Sequence, residues 1–174
     1  MSAGRKNNAG KKDWCTPPKY VDAVLKVWRT IALDPCSNQW SLVPAQTKYE
    51  LPVDGLQESW DFTTIYVNPP YGRDYERKTS ISDWIKMGAN AFHQYKSEVM
   101  MLIPVATNTR HFKECVFVDY HAICFLADTR LRFYNYGKED KKGAPMACCM
   151  IYAGYQADIF EGVFSEYGKT FRME

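Results

Sequence analysis

Short all-apolar runs alternate with helical stripes along this chain. Val21, Val24, Leu25 and Trp28 recur at helical spacing, which predicts a helix over Lys19 to Thr30 with Pro18 in its first turn. Trp84, Ile85, Ala89 and Phe92 predict a second helix over Ile81 to Tyr95, with Ser80 or Ser82 as its N-cap. Continuous runs read as buried strands: Ile31 to Leu33, ending at Asp34-Pro35; Thr64 to Val67; Val99 to Ile103, stopping at Pro104; His121 to Leu126; and Met146 to Tyr152. Weaker patterns predict a short helix over Arg110 to Val118 and one further element over Asp158 to Phe164. From Cys36 to Trp60 the pattern is broken by Pro44, Pro52 and Gly55, so irregular chain is expected with one short strand near Tyr49 to Leu51. Trp14 to Pro18 is extended, because a residue before proline avoids the helical region. Gly72 to Ser82 reads as a charged loop and Asn135 to Gly143 as a lysine-rich turn. Strands alternating with helices predict an α/β fold with a mostly parallel central sheet flanked by helices. Residues 1–12 are polar and basic and are expected to form a flexible arm, and residues 13–174 a single domain without internal repeats.

The Thr64–Val67 run ends in Asn68-Pro69-Pro70-Tyr71. Two prolines fix φ and remove two backbone donors, so this corner presents carbonyl oxygens and the Asn68 side chain. Tyr71 adds a flat face on which a ring can stack. A nucleobase amine offers N–H donors and a π-face, which matches the corner in kind. Asn-Pro and Pro-Pro also mark turns with no chemistry. The corner's place at the carboxyl end of a strand, ahead of a helix, favours a ligand site, since ligands in open α/β sheets bind there.

Composition narrows the picture. With 46% hydrophobic and 15% aromatic residues, the chain is a packed globule and not a disordered one. There is no apolar run long enough to cross a membrane, and the charged amino terminus lacks the apolar stretch of a secretory signal. Six cysteines occur without a C-x-x-C pair and with scattered histidines, so no metal site is expected; reduced thiols in a cytoplasm are the default. A net charge of +2 says little about nucleic acid. Basic residues do cluster in the arm, after the corner at Arg73, Arg77 and Lys78, and late at Arg130, Arg132, Lys138, Lys141 and Lys142. Each cluster is either a solvated face or a set of phosphate contacts.

The corner resembles the Asp/Asn-Pro-Pro-aromatic signature of S-adenosylmethionine-dependent amino-methyltransferases. Together with Trp14-Cys15-Thr16-Pro17, Leu33-Asp34-Pro35-Cys36-Ser37, Asp54-Gly55-Leu56 with Trp60, Leu102-Ile103-Pro104 with Thr109 and Phe112, and Arg130-Leu131-Arg132-Phe133, the layout is similar to the phage-type DNA N-6-adenine methyltransferase (Dam) family. The pieces follow the family's order over residues 13 to 155.

That resemblance implies a Rossmann-like class I methyltransferase fold, S-adenosylmethionine as cofactor, DNA as partner, and action in the cytoplasm of a bacterial host on behalf of a bacteriophage or prophage. It implies that Asn68, Pro69, Pro70 and Tyr71 form the catalytic corner. Thr16, Pro17, Asp34, Asp54 and Asn68 would hold the cofactor, and Arg73, Arg77, Lys78, Arg130 and Arg132 would face DNA. Each residue also has a plainer reading. Tyr71 could be a core aromatic, Thr16 an N-cap, Asp34 and Asp54 turn residues, and Arg130 and Arg132, which share a side, surface ion pairs. The common Gly-x-Gly cofactor loop is absent, with Cys36 to Trp40 in its place. His111 has no task in this chemistry. Two alternatives stay open: the same chemistry on cytosine N4, an RNA base or a protein glutamine, and a nucleic-acid-binding protein that keeps the fold without catalysis.

Overall fold

The computed structural model describes residues 14–173; the expected arm at 1–12 lies outside the described residues. Four helices and nine strands follow in the order α1 (Pro18–Trp28), β1 (Ile31–Ser37), β2 (Ala45–Glu50), β3 (Thr64–Val67), α2 (Ile81–Tyr95), β4 (Glu98–Pro104), α3 (Phe117–Asp119), β5 (Ala122–Leu126), β6 (Tyr134–Asn135), β7 (Lys138–Glu139), β8 (Cys148–Ala153), α4 (Ala157–Phe164) and β9 (Gly168–Arg172). Seven strands form one sheet in the order β2-β1-β3-β4-β8-β5-β9. The pairs β1–β2, β1–β3 and β3–β4 are parallel. Strand β8 is antiparallel to both β4 and β5, so β5 runs with the first four, and only β8 and β9 run against them. Strands β6 and β7 form a separate hairpin turned at Tyr136 and Gly137, both at positive φ (48° and 73°). Glycine adopts that backbone at no steric cost.

Both faces of the sheet are covered. On β4 and β8, Met100, Leu102, Met150 and Tyr152 pack under α1 and α4, against Tyr20, Val24, Phe160 and Phe164. Their neighbours Val99, Met101, Ile103, Cys149 and Ile151 pack on the other side against Trp84, Ile85 and Phe92 of α2 and against Phe112 and Val116. Burial on two sides is why these strands read as unbroken apolar runs. At the amino-terminal edge of the sheet, the Glu98 carboxylate accepts from Trp28 Nε1 (2.6 Å), Tyr152 Oη (2.9 Å) and Gln156 Nε2 (3.0 Å), and so ties α1, β8 and the start of α4 to β4.

Several boundaries differ from expectation. Strand β1 continues through Asp34-Pro35 to Ser37, because its register against β2 slips between Asp34 and Ser37 and the proline falls at that irregularity, outside the regular ladder. Strand β2 spans Ala45–Glu50; it is an edge strand whose alternating residues are exposed, so it lacks an apolar signature. The helix expected over Arg110 to Val118 is present, but its centre is a π-helical turn, Phe112–Val116, that runs into the short α3. The strand expected near Tyr49 to Leu51 is the end of β2, and β9, at the opposite edge, is largely exposed and likewise carries no apolar pattern. Ser80, not Ser82, caps α2, with its N–H donating to Asp83 Oδ2 (2.7 Å).

Candidate active site

Strands β1, β3 and β4 are parallel, so their carboxyl ends share one edge of the sheet. Leu33 pairs with Ile65, which brings Asp34 and the Asn68 corner off that edge side by side. Within the corner Pro69 is buried, Asn68 and Tyr71 are half-buried and Pro70 is exposed. Asn68 Nδ2 donates to the main-chain carbonyl of Trp14 (2.9 Å). A carbonyl oxygen only accepts, so it holds the NH2 end of the amide and turns Oδ1 the other way. Among the described residues no donor reaches that oxygen.

Tyr71 is more enclosed than a free stacking platform. Its hydroxyl donates to the Leu102 carbonyl (3.0 Å), and burial pushes the phenol pKa up. The ring meets Trp14 edge-on (6.3 Å, 79°) and Phe133 likewise (5.8 Å, 72°). The plain reading, a packed aromatic, describes its inner end; only the ring's remaining surface is available to a base.

Further contacts hold the segment before α1. Trp14 stacks on Phe133 (4.8 Å, 9°). Cys15 exchanges two backbone hydrogen bonds with Tyr134 (2.8 and 3.0 Å). The Cys15 thiol donates to Asn38 Oδ1 (3.4 Å). Thr16 Oγ1 shares a hydrogen bond with Tyr66 Oη (2.9 Å) and is 2% exposed. Thr16 is therefore not an N-cap; Pro17 occupies that position and no side chain caps α1. Its hydroxyl is committed inward, beneath the corner.

Asp34 is 3% exposed. Its carboxylate accepts from the Cys36 N–H (3.2 Å) and Ser41 Oγ (3.3 Å), with no cation in salt-bridge contact among the described residues. Burial pushes its pKa up to about 6, against the opposing pull of the Cys36 N–H, the nearby serine hydroxyls and Lys48. Ser37 Oγ is also buried and, although close to that carboxylate, makes no hydrogen bond of good geometry. The folded-state pKa of Asp34 thus lies above the unfolded value. Its stability contribution is complete below about pH 4 and is lost as pH rises through about 6, a cost at neutral pH on the order of 3 kcal/mol. Asp34→Asn should therefore raise the stability of the ligand-free protein at pH 7, with roughly half of that gain remaining at pH 5. Urea unfolding of parent and variant at both pH values checks this, and equal differences at the two would refute it.

Asp54 sits beside this site. Gly55 lies directly on the Pro35 carbonyl, and its own carbonyl accepts from Trp60 Nε1 (2.8 Å). Asp54 Oδ1 accepts from the Leu56 N–H (3.1 Å), and its other oxygen is 3.7 Å from Arg77 Nε. Burial, then the carboxylates of Asp34 and Asp54, push the Cys36 thiol pKa up.

The basic residues divide. Arg77 is half-buried and turned back onto Asp74 (2.8 Å) and Asp54, so it braces the loop and is not an open phosphate contact. Arg73 lies over the exposed Tyr75 ring (5.7 Å), and Lys78 is exposed. Arg130 and Arg132 are exposed on either side of the buried Leu131, as their expected common side requires. With Pro17, Lys19 and Tyr134 they line a cleft of about 480 Å³ at the start of α1. Two acids temper it: Asp128 bonds Lys19 (2.7 Å), and Glu139 is 3.8 Å from Arg132.

Sequence reasoning gave Trp14, Lys19, Ser37 and Asn38 no individual role. Lys19 beside Pro17-Pro18 was the one detectable signal; Trp14 and Asn38 depend on contacts distant in sequence, and Ser37 gains its place beside Asp34 from the irregular end of β1. A second cleft, of about 630 Å³ near Thr64 and Glu98, opens at the opposite edge and contains none of the expected site residues. Among the described residues no group of three or more His, Cys, Asp or Glu could hold a metal, and no helix is long and apolar enough to cross a membrane.

Residues 4–169 match the family model described as DNA N-6-adenine-methyltransferase (Dam). No curated protein and no solved structure matches the chain.

Proposed function

The chain belongs to the DNA N-6-adenine-methyltransferase (Dam) family, and from that premise we propose that it transfers a methyl group from S-adenosylmethionine to the N6 amine of adenine in DNA, on a Rossmann-like class I scaffold. One observation carries the placement of the chemistry. At the carboxyl edge of three parallel strands, the Asn68 amide is held by its NH2 end, which leaves its oxygen as an open acceptor.

The lone pair of the adenine amine is conjugated into the ring, so it is a poor nucleophile. Asn68 Oδ1 and the Pro69 carbonyl would accept its two N–H bonds and draw the nitrogen toward tetrahedral geometry. No strong base is required first, because the proton becomes acidic once the nitrogen is alkylated. Bound S-adenosylmethionine supplies the electrophilic methyl on a sulfonium. The protein's part is positioning and electrostatics. Tyr71, its ring plane fixed by the anchored hydroxyl, would meet the extruded base with its open surface.

The residues beside the corner fit this cofactor by their donor set. Asp34 is a buried carboxylate without a cation, and Ser37 Oγ is a buried polar atom without a partner. The cofactor's ammonium and ribose hydroxyls are the groups that would complete both. Asp54 lies across Pro35; Thr16 and Pro17, on the segment before α1, would adjoin the cofactor through backbone, since the Thr16 hydroxyl is bound to Tyr66. This arrangement would take the place of a Gly-x-Gly loop.

DNA would pass over the cleft at Lys19, Arg130 and Arg132 and over Arg73 and Lys78, with phosphates meeting their side chains. A DNA substrate places the enzyme inside a cell, and the bacterial cytoplasm is the compartment the reading implies. Labelled methyl transfer onto DNA, RNA and protein, followed by nucleoside digestion, tests the proposal. The expected product is N6-methyladenine from DNA; label in cytosine, RNA or glutamine, or none at all, would overturn it.

A further inference from the structure

We propose that Trp14 is a positioning residue for this reaction: its main-chain carbonyl selects which end of the Asn68 amide faces the target amine, and its indole, stacked on Phe133, keeps that carbonyl in place. The inference rests on the reading of Asn68 given above.

A primary amide has an accepting end and a donating end of nearly the same shape. Half a turn about its last side-chain bond exchanges them. With the oxygen toward the target, the amine's N–H meets an acceptor. With the NH2 toward the target, donor faces donor and the nitrogen cannot be activated. Nothing in the Asn68 side chain itself chooses between these states. The Trp14 carbonyl does choose, because it accepts at 2.9 Å and cannot donate. No other hydrogen bond to the Asn68 side chain exists among the described residues.

The selector is itself held. The Trp14 indole lies flat on Phe133 at 4.8 Å and against the edge of Tyr71. The next residue, Cys15, is fixed to Tyr134 through both its N–H and its carbonyl. Phe133 and Tyr134 adjoin Arg130 and Arg132, so the element that steadies the selector also carries cations of the DNA-facing cleft. Positions 14 and 68 are far apart in sequence, and only the packed fold joins them.

Two variants and one spectrum test the assignment. Trp14→Ala should lower kcat about tenfold, the worth of one hydrogen bond, while cofactor affinity and the KM for DNA stay within about twofold. Trp14→Phe keeps an aromatic ring on Phe133 and should restore kcat. Asn68→Asp has no NH2 end for the carbonyl to hold, so adding Trp14→Ala in that background should cause no further loss. The Asn68 side-chain amide, identified in a 15N spectrum by its disappearance in Asn68→Ala, should move toward the position of a free amide in Trp14→Ala. An unchanged amide signal, or the same tenfold loss in the Asn68→Asp background, would overturn the assignment. If the parent protein transfers no methyl to DNA, the functional reading fails, while the amide signal still reports on the selector.

Discussion

Asn68→Ala should reduce kcat roughly 10²- to 10³-fold, the usual loss when a preorganised group that meets developing charge is removed. The acceptor acts most strongly as the amine nitrogen becomes tetrahedral, so the loss belongs to kcat and not to binding. Cofactor affinity should change less, since Asn68 is only one of the residues proposed to hold the cofactor, with Asp34, Asp54 and Ser37. The cost to folding is small: the half-buried Asn68 gives up one hydrogen bond to the Trp14 carbonyl, worth about 1 kcal/mol. Single-turnover methyl transfer, calorimetric titration with S-adenosylmethionine and urea unfolding separate the three effects. Turnover near the parent rate would remove Asn68 from the chemistry.

Gly55→Ala should be strongly damaging for so small a substitution. A Cβ at this position would stand 1.8 Å from the Pro35 carbonyl oxygen, a backbone atom in the β1 segment that carries Asp34. Gly55 cannot retreat easily, because its own carbonyl is bound by the buried Trp60 indole. Either that bond breaks or β1 shifts next to Asp34. A loss of about 3 kcal/mol is expected, at the upper end for overpacking, together with weakened cofactor binding as Asp54 and Pro35 separate. Gly162→Ala is the control: nothing lies within 4 Å of the added methyl, and in helix α4 the change should be neutral or stabilising by up to about 1 kcal/mol. Urea unfolding of both variants checks the contrast, and a Gly55→Ala protein as stable as the parent would show that the contact yields.

Local pattern made part of this architecture legible. Helix α2 and strand β3 begin and end where the apolar spacing and the proline corner predict, because each is defined by neighbours in sequence. Strands β4 and β8 were equally readable, since burial on both faces leaves no polar residue to confuse the pattern. The edge strands β2 and β9 were misread or missed because half their side chains face solvent and need no apolar character. The corner was visible as a motif, but its hold on the Trp14 carbonyl was not, because a main-chain acceptor leaves no mark on residue type. Arg77 shows the converse: its composition suggested a phosphate contact, and only the fold reveals that Asp54 and Asp74 already occupy it.

The position of β8 has a consequence for how the protein is made. Residues 148–153 lie between β4 and β5, both of which leave the ribosome earlier. Until β8 emerges, each presents an apolar edge with unpaired backbone groups, a template for wrong partners. Synthesis of the chain therefore passes through an interval of exposure that closes only when β8 itself arrives, and any truncation short of that strand leaves the middle of the sheet split open.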